Sequence, residues 1–413
     1  MVRRVLGDKL SQIISNSFHE ILLLKLHIKD LNAVDLWMPF LRQPLYPLLE
    51  VKKAGNKLSV SQAKDGNNFI PFLHNPDADL GESAFDWQYP MIIRYESTDG
   101  AESGEKLLKS GGSVEIETKS KTIKLNKNQT CFYRTKYDAE LQAELVSILN
   151  EQPLSIDVMD RVGLMDDAFH LAISGDYTYD QALNFVNYMT NDKTPEDSYY
   201  AWNLFSSRTS YMRSMLKGTE TGTKFVDYFR PAIAAQFDKM TFEVKDDDTH
   251  MEKRKRATIV SLAVSFEVEA AREQATELFN TWVKSGDKPH PDVRGTVYNL
   301  GVSNGGNDEW SFVYEQYMNE LVASEKRTLM RALASTENVT TIDYMLNTMA
   351  ADKTIVLEQD FFTFISYISG ATSIGNQMAF DWARVHWAEL VERFSTGIFY
   401  SQNSRNHNSY ADI

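Results

Sequence analysis

The pattern of apolar residues changes once along the chain, near Asp138, and this change constrains the fold more than any other feature. Before that point, short runs of β-branched and aromatic residues alternate with turn residues, which is typical of antiparallel β structure. After it, amphipathic segments of about 12 to 20 residues follow one another to the end of the chain. The sequence therefore predicts an all-β part followed by an all-α part.

Four runs in the first part have the character of strands. They read YPLLEV (46–51), KLSVSQ (57–62), YPMIIRY (89–95) and SVEIETKSKTIKL (113–125). Turn signals such as Ala54-Gly55-Asn56 and Thr98-Asp99-Gly100 lie between them. Short strands repeated at this spacing predict a β-sandwich.

The second part carries several helix start signals. Ser155-Ile156-Asp157 precedes one segment, and Thr194-Pro195-Glu196-Asp197 precedes another with proline at an early helical position. Gly163 and Gly370 are expected at helix ends or turns. About 275 residues of consecutive helices exceed what one small bundle can bury, so the pattern predicts an α-solenoid of degenerate HEAT or armadillo type.

Charge and hydropathy argue against nucleic acid as a partner and against a membrane-spanning helix in this chain. The chain of 413 residues has a net charge of −14 and a pI of about 5.1, which argues against nucleic acid. The basic run Lys253–Arg256 follows the acidic run Asp246–Asp248, and we interpret the pair as a solvated turn and helix start. No run approaches the roughly 18 apolar residues of a transmembrane helix.

A metal site is not expected in this chain. His19 and Glu20 resemble the start of an HExxH zinc motif, but Leu23 stands where the second histidine belongs. His27 lies more than two helical turns from His19, so the two rings cannot share one ion. The single cysteine, Cys131, allows neither an intramolecular disulfide nor a thiolate cluster. We predict no catalytic residues, no metal ligands and no cofactor here.

Several segments, in colinear order, carry a resemblance to a known family. NQTCFYRTKYD (128–138) looks like the NxTGYYRVNYD segment that closes the β-sandwich of the gluzincin zinc aminopeptidases. That family includes aminopeptidase N, the endoplasmic-reticulum aminopeptidases and puromycin-sensitive aminopeptidase. Further similar segments are LNAVDLW (31–37), QPLYPLLEV (43–51), DRVGLMDDAFHLAISGDYTYDQAL (160–183), a helical stretch at 294–336, and GNQMAFDWARVHWAELVERF (375–394).

The resemblance implies a multidomain organisation. Residues 1–40 would be the C-terminal helices of a thermolysin-like catalytic domain, residues 41–138 the β-sandwich, and residues 139–413 the α-helical solenoid. The zinc ion and its HExxH…E ligands would belong to the catalytic domain, upstream of this chain. The chain would then be inactive alone, with its own catalytic domain as a partner. Its implied role is a chamber wall that admits and positions peptides for removal of the N-terminal residue.

One helix, at about 199–216, is the candidate for peptide contact. It carries Trp202, Arg208, Tyr211 and Arg213. In some family members a tyrosine and a basic residue of the similar helix contact the C-terminal end of the peptide. Arg213 would pair with a carboxylate, and Tyr211 would pack and donate a hydrogen bond. An ordinary amphipathic surface is the competing interpretation.

Other properties stay open. Sequons at Asn128 and Asn338 are candidates for N-glycosylation, but the disulfide cysteines of secreted members are missing near Asn299 and Ser335. An ectodomain and a cytoplasmic protein are therefore both compatible with the sequence. A dimer through the helical domain is one alternative for the assembly. The alternative functions are a non-catalytic aminopeptidase homologue that acts in binding, adhesion or reception, and a stand-alone solenoid binder.

Overall fold

The computed structural model of the chain describes residues 46–62 and 90–394. The chain divides into two compact units, Met1–Glu196 and Asp197–Ile413. The helices predicted for residues 1–40, with His19, Glu20 and His27, lie outside the described residues.

The β part of the first unit consists of two sheets. One has the strand order β5-β2-β1-β7 and the other β4-β3-β6. Neighbouring strands are antiparallel, except that β1 pairs with β7 in parallel. The strands are β1 (Leu48–Ala54), β2 (Lys57–Gln62), β3 (Met91–Ser97), β4 (Ser103–Leu108), β5 (Ser113–Glu117), β6 (Ile123–Leu125) and β7 (Arg134–Tyr137).

Buried and exposed side chains alternate along these strands, and the buried ones form the core of the β part. Val51, Val60, Ile93 and Ile116 are at most 1% exposed, while many of their sequence neighbours are polar and face outward. The predicted turn at Gly55 is confirmed, because its φ of 62° is a left-handed value that glycine adopts without strain. Each of the four predicted runs contains strand residues, and the last one is split into β5 and β6.

Helices begin directly after the β part. The first unit contains α1 (Ala139–Glu151), α2 (Val158–Ile173) and α3 (Tyr179–Asn184). The side chain of Asp157 caps α2 by accepting a hydrogen bond from the Met159 N–H, as the start signal predicts. From Asp138 to Phe394 the structure has no strand. A β part followed by a mostly helical part is therefore confirmed.

The described residues of the second unit form helices that pack on their neighbours along the chain. Pairs in contact include α4 with α6, α7 with α8, and α12 with α13. A π-helical turn, Met345–Met349, follows α11. The helices are α4 (Tyr199–Leu216), α5 (Glu220–Met240), α6 (His250–Ser265), α7 (Glu269–Ser285), α8 (Arg294–Asn304), α9 (Asn307–Asn319), α10 (Ala323–Leu333), α11 (Val339–Tyr344), α12 (Phe361–Ala371), α13 (Ser373–Val385) and α14 (Trp387–Phe394).

Three local predictions were wrong, one of them only in part. Pro195 does not begin a helix, because α4 starts at Tyr199 with Ser198 as its N-cap. Gly163 lies inside α2 and not at its end. A Cβ atom at Gly163 would collide with the side-chain amide of Gln129 at 1.6 Å. The prediction of a solvated turn and helix start at the basic run was wrong in part: α6 begins there and Arg254 is exposed, but Arg256 is 2% exposed. Arg256 donates to Asp248 at 2.6 Å, since a buried cation requires a partner.

Candidate functional site

Helix α4 carries the four residues that the sequence singles out for peptide contact. Ser198 caps its N-terminus, because the Ser198 hydroxyl accepts a hydrogen bond from the Tyr200 N–H at 3.2 Å. Phe205 and Thr209 line its buried face. One face of α4 therefore packs into the protein and the other is directed outward. The four candidate residues are divided between these two faces.

The geometry of α4 separates the candidates into two pairs. Each residue turns the helix by about 100°, so Trp202 and Arg213, eleven positions apart, lie within about 20° of each other. Arg208 and Tyr211, three positions apart, share the opposite face. Burial agrees with this division for the two aromatic residues, since Trp202 is 1% exposed and Tyr211 is 47% exposed, whereas both arginines are half-buried. Arg213 and Tyr211 therefore do not converge on one point.

Arg213 has an unusual environment for a cation. Its guanidinium carbon lies 4.8 Å from the centre of the Phe266 ring, in a cation–π arrangement. Its Nε is buried and has no hydrogen-bond partner. No carboxylate within residues 46–62 and 90–394 forms an ion pair with it. Burial lowers the pKa of Arg213 to about 10, so the side chain is still charged at neutral pH.

The surroundings of this guanidinium are aromatic. Phe266 belongs to a cluster in which Phe205 and Phe229 have ring centroids 5.0 Å apart, and Phe225 and Phe229 are 5.2 Å apart. An apolar wall of this kind offers no hydrogen bonds and excludes water on one side. It strengthens the attraction between Arg213 and any anion that reaches it.

A second cluster of charged side chains lies in the first unit, where β7 meets α2. Arg134 donates from Nη1 to Asp166 Oδ2 at 2.7 Å and to Asp167 Oδ1 at 2.9 Å. The Thr135 N–H donates to Asp167 Oδ2 at 3.0 Å. Desolvation raises the pKa of Asp167 to about 6, although the Arg134 charge opposes the shift. The two aspartates therefore join a helix to a strand.

The same junction contains a buried ion pair. Lys124 Nζ lies 2.6 Å from Asp160 Oδ1, and the Asn128 N–H donates to the same oxygen at 2.7 Å. Both side chains of the ion pair are at most 5% exposed. The segments 128–138 and 160–183, quoted above for their resemblance, thus dock on each other through polar contacts. Sequence reasoning missed these contacts, because nothing in the spacing of the two segments indicates their partners.

The two sequons have different settings. Asn128 and Asn338 are both exposed. Asn128 adopts a left-handed backbone with a φ of 56°. Asn338 is the N-cap of α11, and its side chain accepts a hydrogen bond from the Thr341 N–H at 3.2 Å.

No group of three or more His, Cys, Asp or Glu side chains that could hold a metal ion occurs in the part of the chain that the structure describes. The described helices also include none with both the length and the apolar character needed to cross a bilayer.

A family model described as ERAP1-like C-terminal domain matches residues 122–405. Aminopeptidase A of Gloydius brevicauda is 29% identical over 384 residues, which is 91% of this chain and 37% of that protein. Glutamyl aminopeptidase of Rattus norvegicus is 32% identical over 275 residues, covering 66% of this chain and 28% of that protein. Endoplasmic reticulum aminopeptidase 2 of Bos taurus is 24% identical over 360 residues, covering 86% and 36%.

The resemblance read from the sequence is confirmed by these matches. The chain spans about 37% of the length of the first of these relatives. Because the family model covers more than half of the chain, the assignment does not depend on any single relative. The chain belongs to the ERAP1-like C-terminal domain family.

Proposed function

We propose that this chain is the non-catalytic C-terminal region of a zinc aminopeptidase and that it works together with that protein's own catalytic domain. The observation that carries the proposal is the family match over residues 122–405. Relatives named as aminopeptidases support it, because the aligned part is a minor share of each of them.

In this proposal the zinc ion belongs to the catalytic domain. Zinc requires at least three converging protein ligands, and the described residues of this chain contain no such group. The described residues therefore do not fit the metal, and the proposal assigns no catalytic step to them. The roles proposed for this region are the binding and positioning of peptides.

The proposed architecture follows the domain limits predicted from the sequence. Residues 1–40 would be tail helices of the catalytic domain, residues 41–138 a β-sandwich spacer, and residues 139–413 an α-solenoid. The solenoid would form the wall of a chamber that admits peptides and presents their N-termini to the catalytic domain. The presence of two sheets and the packing of successive helices among the described residues support this arrangement.

Within that wall, Arg213 is the residue that we propose to hold the C-terminal carboxylate of a peptide. Its guanidinium lacks a carboxylate partner among the described residues and is backed by the Phe266 ring. A carboxylate can accept two parallel hydrogen bonds from a guanidinium, which favours arginine over lysine for this task. Tyr211 lies on the other face of α4, so it would contact a different part of a peptide.

The test is a set of peptides of one sequence with either a free or an amidated C-terminus. We expect wild type to bind the free acid more tightly by about 1.5 kcal/mol, about tenfold, which is the low end for a charge-assisted bond because water screens a partly exposed pair. Arg213→Ala should remove this preference. Arg208→Ala, on the opposite face, is the matched control and should keep it. Equal binding of both peptides by wild type would refute the assignment.

A further inference from the structure

Arg213 differs from the buried cations elsewhere in the described residues. Arg256, Arg161 and Lys124 each lie 2.6 to 2.8 Å from a carboxylate oxygen. Arg213 has no such partner in the described residues, although its Nε is enclosed and its guanidinium rests on Phe266. A desolvated charge without a counter-charge is unfavourable, so the free protein should recruit one from solution.

From this contrast we propose that Arg213 binds a small monovalent inorganic anion, with chloride as the defining case, whenever no peptide carboxylate occupies it. The anion and the peptide would compete for the same guanidinium. The competition rests on the proposed peptide contact, whereas the anion site itself does not.

The part of the Arg213 side chain that a ligand can reach is small, which favours a small ligand. Phe266 covers one face of the guanidinium, and the burial around Nε closes its inner edge. The two terminal nitrogens are not enclosed in this way, so they are the donors that an anion can reach. A monatomic anion accepts hydrogen bonds from any direction and needs no further shaped pocket. A multiply charged anion would call for additional cations, which this one guanidinium does not supply.

Helix α4 itself contributes no acidic side chain near Arg213, although the whole chain is acidic. Helix α4 contains Arg208 and Arg213 but no aspartate or glutamate among its 18 residues. Arg213 lies in the last turn of α4, where the carbonyl end of the helix dipole partly stabilises a cation. This stabilisation by the helix dipole is small and does not replace a counter-ion.

The experiment uses the full chain and the line width of chloride in NMR spectra, which increases when chloride exchanges on and off a protein site. Wild type should broaden the line more than Arg213→Gln and Arg213→Met, the second of which preserves the apolar packing of the stem. Lys224→Gln removes an equal charge from a position of α5 that is 75% exposed, and this variant should broaden the line like wild type. Circular dichroism establishes that each variant is folded.

Adding a peptide with a free C-terminus should narrow the line in wild type, and its amidated counterpart should not. If the Arg213 variants broaden the chloride line as much as wild type does, the anion site is refuted, even where peptide binding depends on Arg213. If the broadening depends on Arg213 but the free-acid peptide does not displace chloride, the anion site stands and the proposed peptide contact fails.

Discussion

At the scale of single residues, Gly301 shows how closely helices approach in the second unit. A Cβ atom at this position of α8 would lie 2.2 Å from a ring carbon of Phe279, which is itself only 2% exposed. Gly370, near the end of α12, has no atom within 4 Å of an added Cβ. The two helical glycines therefore serve different purposes, since the first allows a contact that any other residue would block.

Alanine substitutions at these glycines should have opposite effects on stability. Gly301→Ala should lower the free energy of unfolding by about 1–3 kcal/mol, because the Phe279 ring must move from a packed position. Gly370→Ala should raise it by about 0.4–1 kcal/mol, because alanine restricts the unfolded chain and fits the helix. Urea denaturation of the two variants beside wild type measures both values. Equal destabilisation by the two substitutions would contradict this interpretation.

The candidate site was predictable residue by residue only in part. The sequence indicates that Trp202, Arg208, Tyr211 and Arg213 share one helix, and α4 is present. It does not indicate that Arg213 rests on Phe266, because the two residues are more than fifty positions apart and belong to different elements. Their roles in peptide contact stay predictions.

At the scale of elements, a two-bond ion pair is among the contacts that attach α14. Arg393 donates from Nε to Glu358 Oε1 at 2.8 Å and from Nη2 to Oε2 at 3.1 Å, while its guanidinium lies 4.7 Å from the Phe361 ring centre. Lys353 adds a contact to Glu358 at 3.0 Å. These partners, with Arg393 first, lower the pKa of Glu358 from 4.5 to about 2.

The attachment of α14 should depend on pH with a definite sign. A carboxylate with a lowered pKa in the folded state contributes stability above its unfolded pKa, and the contribution disappears as pH falls toward the folded pKa. Glu358→Gln should therefore be less stable than wild type at pH 7, and the difference should shrink between about pH 4.5 and 2. Urea titrations at several pH values measure this difference.

Arg384→Ala is the control for this prediction, because Arg384 is 71% exposed and its ion pair with Asp381 is long, at 3.7 Å. An exposed pair of this kind contributes little to stability. Its effect should be small at every pH. A Glu358→Gln difference that stayed constant down to pH 2 would show that the lost packing, and not the charge, sets the stability.

Element types were more predictable than element boundaries. Alternating apolar residues identified β1, β2, β3 and β5, but β4 reads SGEKLL and lacks the alternation, since most of it faces solvent. Strand β7 has only four residues, and its Tyr137 N–H is bonded to the Tyr177 hydroxyl at 3.0 Å, a contact 40 positions away. Such long-range partners do not appear in local patterns.

At the scale of the whole molecule, the two kinds of architecture and the family follow from the sequence, because long periodic segments and several colinear motifs agree. The sequence did not predict the division into two compact units between Glu196 and Asp197. Nothing in the segment around Pro195 indicates that Glu196 is bonded to Arg161 at 2.8 Å, or that Asp197 is paired with Lys255. Each of these two ion pairs lies within a single unit.

The most direct test of the proposed function is zinc content measured together with hydrolysis of a fluorogenic aminoacyl-amide. Both quantities are measured for this chain alone and for the chain joined to the catalytic domain that the proposal assigns to it. We predict substoichiometric zinc and no hydrolysis for the chain alone, and one zinc ion with hydrolysis for the joined protein, because the proposal places the ligand set in that domain. Zinc near one per chain with hydrolysis by the chain alone would contradict the account. A joined protein without activity would contradict it as well and would favour a non-catalytic homologue that acts in binding or adhesion.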